Sequence, residues 1–182
     1  MRAYLSPAWN VVKIWTRWEP GSVTVPCPEP LCRAVISVAL SWGWVMFARY
    51  VALTFCCLHR GTGSRGLKRK TSVLPHDMLE YVPSLFFRLD APKTAWRGPI
   101  IQTSELDNPE IVSFVLPGIA PLNDEDRVFP FSSAQVRERW GRILDALEID
   151  KRLIPIRSLR GGGTLWLYRL TRDIPLVYWR GR

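Results

Sequence analysis

Residues 157–164, Arg157-Ser158-Leu159-Arg160-Gly161-Gly162-Gly163-Thr164, decide how the rest of the chain is read. Two arginines and a triple glycine lead into an amphipathic run that reaches Arg182. From Lys151 to Arg182 there are eight basic residues (Lys151, Arg152, Arg157, Arg160, Arg169, Arg172, Arg180, Arg182) against one acid, Asp173. Such an excess calls for an anionic partner. Glycine beside an arginine lets backbone come close to whatever the arginine holds. The pattern predicts a helix over 164–170, a break at Asp173-Ile174-Pro175, and a further helix from Leu176.

Working outward, the 182-residue chain has the length of one domain with a short appendage. Hydrophobic residues make up 47% and charged residues 23%, enough for a packed core. The net charge of +9 suits nucleic acid or an anionic membrane surface. The nine tryptophans are scattered, which reads as core and helix packing rather than a base-stacking platform. Four cysteines without a CxxC pair, and two histidines, argue against a disulfide scaffold and against zinc, and for buried free thiols in a reducing compartment. The start of the chain has no apolar secretory signal.

In chain order, residues 8–19 read as a short helix with Val11, Val12, Trp15 and Trp18 on one face. A proline-rich linker follows, so residues 1–25 form an appendage and residues 26–182 the domain. Residues 31–58 are the most apolar segment. The uncharged run Ala34–Ala48 has 15 residues between Arg33 and Arg49, short of the ~20 a bilayer span needs, so buried core helices are favoured over a membrane-associated protein. His59–Lys70 is abruptly basic and glycine-rich without a P-loop or dinucleotide fingerprint. Strand character appears at Thr71–Pro75, at Ser84–Leu89 and at Ile100–Leu106, the last two joined by a polar turn holding Lys93. A helix from Pro109 is capped by Asp107 or Asn108. Another runs from Ser133 to Leu147, with Val136, Trp140, Ile143, Leu144 and Leu147 on one face. Asp124-Glu125-Asp126 reads as a solvated charge run.

No Ser-His-Asp set and no metal triad can be assembled. What remains is a spaced set of cations: Arg60 after an apolar helix, Lys93 in a hairpin turn, and Arg157 with Arg160. Arginines grip non-bridging phosphate oxygens bidentately, and a lysine can protonate a leaving oxygen. Each also has a plainer reading, as a solvated helix end or an ordinary turn lysine.

That ordered set resembles the catalytic domain of the tyrosine recombinases (phage-integrase type), in particular the divergent version carried by eukaryotic mobile elements. Leu58-His59-Arg60-Gly61-Thr62-Gly63 resembles the first arginine box, Pro92-Lys93-Thr94 the hairpin turn with its lysine, Arg157-Ser158-Leu159-Arg160 the second box, and Trp179-Arg180-Gly181-Arg182 the start of the last element. The resemblance implies an α+β fold, mostly helical, with packed helices around a small antiparallel sheet. It implies Arg60 and Arg160 as the phosphate clamp, Lys93 as general acid, Arg157 in the place of a histidine, and Arg182 near the last His/Trp position. It departs from the family at Gly63, where an acid supports the first arginine. The nucleophilic tyrosine of the family lies further downstream. Tyr168 and Tyr178 come too early, so no nucleophile is assigned and the chain reads as truncated. The implied partners are double-stranded DNA and further copies of the chain, without metal, cofactor or membrane, and the implied location is intracellular, in the nucleus. A non-catalytic basic DNA-binding module is the alternative.

Overall fold

The computed structural model describes residues 24–79, 82–89 and 101–181. The expected helix over 8–19 and the turn that carries Lys93 lie outside them, as does Arg182.

The apolar segment folds as a helical hairpin, α1 (Glu29–Ser41) and α2 (Val45–Cys56). Pro28 precedes α1 in extended conformation and Pro30 sits in its first turn, where the missing N–H costs nothing. The two helices are separated at Trp42-Gly43-Trp44, and Gly43 takes the positive φ of 72° that a side chain would strain. The longest apolar run is thereby cut. Among the described residues no helix is long and apolar enough to cross a membrane.

Helix α2 is the centre of the molecule. Phe47, Ala48 and every residue from Tyr50 to Phe55 are buried, so it is enclosed on all sides. Between Phe47 and Phe55 the exception is Arg49, half-buried, whose Nε donates to the Phe114 carbonyl at 2.9 Å. A helix apolar all round belongs in a core.

The basic, glycine-rich stretch after it is a short helix, α3 (Gly61–Gly66), rather than an open turn. Three strands follow, β1 (Ser72–Val73), β2 (Leu85–Leu89) and β3 (Gln102–Leu106), in one antiparallel sheet ordered β1-β2-β3. Leu85 pairs with Leu106 and Phe87 with Ser104, so the alternation expected of the return strand puts Leu85, Phe87, Ser104 and Leu106 on the covered face.

Helix α4 (Pro109–Val115) is capped by Asn108, whose side chain accepts the Ile111 N–H at 3.1 Å. Helix α5 (Ser133–Ala146) starts with a Ser132/Gln135 capping box and buries Val136, Trp140, Ile143 and Leu144, the face read from the sequence. The Asp124–Asp126 run meets the basic stretch. Glu125 bridges Lys68 and Lys70 at 2.7 and 2.5 Å, and Lys68 first, then Lys70, hold its carboxyl down at about 2. The four cysteines are free, and three of them (Cys27, Cys32, Cys57) are buried.

The chain ends in α6 (Ser158–Thr171) and α7 (Ile174–Arg180). Helix α6 begins six residues before the sequence reading placed it, so the triple glycine lies inside the helix. The reason is packing. A Cβ at Gly162 would stand 1.9 Å from the Cys27 carbonyl oxygen, and one at Gly163 2.0 Å from that of Phe55. The glycines bring α6 against the chain's own backbone, not against a ligand as the sequence suggested. The architecture is α+β, mostly helical, with helices packed around a small antiparallel sheet.

Candidate functional site

The end of α2 is where the sequence-predicted arginines meet. Leu58 reverses the chain with a φ of 54°. His59 then turns inward and Arg60 outward. Arg60 is extended (φ −71°, ψ 143°) and stands as N-cap of α3, its carbonyl accepting from the Gly63 and Ser64 N–H groups at 2.8 and 3.1 Å.

Arg160 arrives from the first turn of α6. Because Gly163, one turn on, touches the Phe55 carbonyl at the end of α2, the start of α6 is pinned beside the same helix end. The Arg160 side chain is half-buried and donates to the Gly181 carbonyl just after α7. Burial first, and then the charge of Arg60, push its guanidinium below the usual range. Burial, and then the charge of Arg160, push His59 down to about 4, so His59 is neutral at ordinary pH. Residues 100 positions apart thus form one patch with two close cations.

What sets the pair apart is that the charge of one arginine acts on the other, whereas several other arginines lie against carboxylates. Arg69 is paired with Asp77 at 2.9 Å, Arg152 with Asp150 at 3.1 Å and Arg180 with Asp107 at 2.5 Å. Among the described residues Arg60 and Arg160 have no carboxylate partner. Two like charges held together without a counter-ion cost free energy that a bound anion returns. A phosphate, with oxygens for two guanidinium forks, matches that arrangement.

Arg157 does not join them. It is exposed at the N-cap of α6, and its Nε donates to Thr24 Oγ1 at 3.2 Å. Lys93 and Arg182 lie outside the described residues. Among the described residues no group of three or more His, Cys, Asp or Glu could hold a metal ion. Tyr168 lies beside Arg172, whose guanidinium carbon is 5.8 Å from its ring centre, and Tyr178 is exposed on α7.

Two features of the site were missed in the sequence. The first is the tie between α7 and the sheet. Arg180 grips both Asp107 oxygens at 3.0 and 2.5 Å and lies 3.8 Å from Glu105. Since Asn108 supplies the cap of α4, Asp107 is left for this pair, and the Arg180 hydrogen bond holds its carboxyl below the usual range. The second is the buried hydroxyl network around His59. Its signal was a histidine at the end of a wholly apolar helix, a position that demands hydrogen-bond partners.

No family model matches the sequence, and no curated protein matches it. Among solved structures, the chain is similar to the XerH site-specific recombinase, in a structure described as bound to the difH substrate in a pre-cleavage complex. The TM-score is 0.64 at 12% identity, over 87% of this chain. The match spans about half, 47%, of the recombinase chain. At that identity the likeness is one of fold, and it is the fold that the arginine boxes implied.

Proposed function

We propose that this chain is a tyrosine-recombinase-type domain that grips a phosphodiester of duplex DNA between Arg60 and Arg160. The observation that carries the reading is the pairing of these two arginines at one surface with no carboxylate partner among the described residues, while Arg69 and Arg180 are each paired with an aspartate. The recombinase fold, reached from the structure at 12% identity, supports it independently.

Each guanidinium takes non-bridging oxygens of the phosphate, and their charge offsets what builds on those oxygens during in-line attack. In the full reaction a tyrosine hydroxyl attacks phosphorus, the P–O bond to the 5′ oxygen breaks, and a 3′-phosphotyrosyl link stores the bond for strand exchange. Lys93 gives the leaving 5′ oxygen its proton in this reading. Arg157 stands in the place of the family's histidine as a further positive charge, and Arg182 in that of the last His/Trp position. The reading assigns the nucleophile to none of the tyrosines of this sequence. Grip on the DNA phosphate is the activity that these residues support, in a divergent recombinase-type domain of a mobile element. Residues 26–182 form the domain, its site of action is the nucleus, and further copies bind alongside it on DNA.

Arg160→Ala tests the clamp. Duplex affinity is measured against salt concentration, and the loss of one phosphate contact lowers the slope of log K against log salt by about 0.9. An Arg160→Ala protein with the affinity and slope of the parent sinks the reading.

A further inference from the structure

Arg60 holds its place without the acid that the resemblance would put beside it. Position 63 is glycine, and a Cβ there would meet only Leu89, at 3.6 Å. What brackets Arg60 instead is a set of four buried polar side chains, Thr54, His59, Ser64 and Ser104, none more than 8% exposed.

One order of the protons satisfies every bond of this set. Ser104 Oγ donates to the Phe87 carbonyl at 3.5 Å, so its oxygen is open to accept from His59 Nε2 at 2.5 Å. With the ring proton on Nε2, Nδ1 is bare and accepts from Ser64 Oγ at 3.4 Å. Ser64 in turn accepts from Thr54 Oγ1 at 2.9 Å. Each hydroxyl spends its single proton, and the ring is the neutral Nε2–H tautomer. The neighbouring charge of Arg160 favours the same neutral form.

The chain of bonds joins α2 through Thr54, α3 through Ser64, and the β2–β3 hairpin through Ser104 and Phe87. Arg60 sits inside it. The residue before it has both ring nitrogens engaged. The residue four places after it donates its N–H to the Arg60 carbonyl and its hydroxyl to His59. A buried network with every partner satisfied is stiff, because opening any link leaves a bare polar group in low dielectric.

We propose that His59 is a positioning residue for phosphate binding. Through Ser64 and Ser104 it fixes the backbone of Arg60 to the helix end and to the hairpin, replacing by neutral hydrogen bonds the support a carboxylate would give. Because that support adds no negative charge, both arginines keep their full attraction for the phosphate. The inference rests on the DNA reading of the Arg60–Arg160 pair.

A double-mutant cycle separates positioning from simple core packing. The affinity of the full chain for a fluorescent duplex is measured for the parent, His59→Leu, Arg60→Ala and the double variant, each checked for folding by circular dichroism. His59→Leu weakens binding about tenfold, and in the Arg60→Ala background it weakens binding no further, since it acts through Arg60. His59→Gln, which keeps a donor and an acceptor, restores most of the affinity. Losses that multiply in the double variant, or a folded His59→Leu protein that binds like the parent, overturn the positioning role alone. Arg60→Ala binding like the parent overturns the clamp reading and this role with it. Should His59→Leu not fold, Ser104→Ala, which removes only the hydroxyl at the hairpin end, carries the same cycle and the same outcomes.

Discussion

Adding one methyl group to each glycine of the triple run should have opposite effects at neighbouring positions. Gly161 is exposed, and a Cβ there would meet Pro26 at 3.8 Å, an ordinary contact. Alanine gains about 1 kcal/mol over glycine inside a helix, so Gly161→Ala should stabilise by about that amount. Gly162 and Gly163 are buried, and their added carbons would lie 1.9 and 2.0 Å from backbone carbonyl oxygens that have no rotamer to change. Reaching even a tight contact of 3.0 Å means moving helix from backbone by about 1 Å. Overpacking of that kind costs about 3 kcal/mol or more where no side chain can yield. After the helix-propensity gain, a net loss of about 2 kcal/mol or more is left for each. In a chain of this size 1 kcal/mol moves the melting midpoint by about 2–4 °C. Thermal unfolding followed by far-ultraviolet circular dichroism should therefore show Gly161→Ala up by about 2–4 °C and Gly162→Ala and Gly163→Ala down by about 4–8 °C. Gly163→Ala should weaken duplex binding as well, because the contact it breaks sets Arg160 beside Arg60. A Gly163→Ala protein with the parent's melting midpoint would refute the close approach of α6 to α2 and the account of the site built on it.

The pH dependence of stability should carry the mark of His59. Its folded value of about 4 lies below the 6.5 of an exposed histidine, so the stability its neutral form supplies is fully present above pH 6.5 and is lost as pH falls from 6.5 to about 4. At 1.36 kcal/mol per unit the loss is about 3 kcal/mol; urea midpoints should show it for the parent and not for His59→Gln, and equal slopes for the two would contradict a buried neutral ring. Arg180→Met should lower stability by about 1–2 kcal/mol, between the values for exposed and buried pairs, since Arg180 is 15% exposed and Asp107 48%. The same variant should speed hydrogen exchange in α7 while leaving α2 protected, and uniform exchange across both would argue against a local tie.

Much of the fold was legible because it follows local periodicity. Helix α5 was legible from one apolar face and a cap at Ser132 or Ser133, α4 from Asp107 or Asn108 before Pro109, and the strands from their composition and, in the return strand, from alternation. The split of residues 31–58 into two helices was open in the sequence, since apolar residues run through it. Gly43 and the flanking tryptophans decided it. The start of α6 was misplaced for a related reason. A triple glycine disfavours helix locally, and only contact with Cys27 and Phe55 makes glycine the residue that fits. The acidic run was rightly read as solvated, but its ion pairs with Lys68 and Lys70 come from over fifty residues away.

The sequence by itself determined that the protein is basic, has the core-forming apolar content of a single domain, and carries arginines in an order that resembles the recombinase boxes. These are properties of residue type and spacing, which one-dimensional patterns record. The tertiary structure decided which cations lie together. It placed Arg60 and Arg160 at one helix end without a carboxylate partner among the described residues, turned Arg157 toward Thr24, and neutralised Arg180 with Asp107. It also decided the role of the glycines in residues 157–164. They serve the approach of α6 to the backbone at Cys27 and Phe55, and through that contact they fix the position of Arg160. Charge pairing depends on distances between residues far apart in the chain, and no local pattern contains those distances.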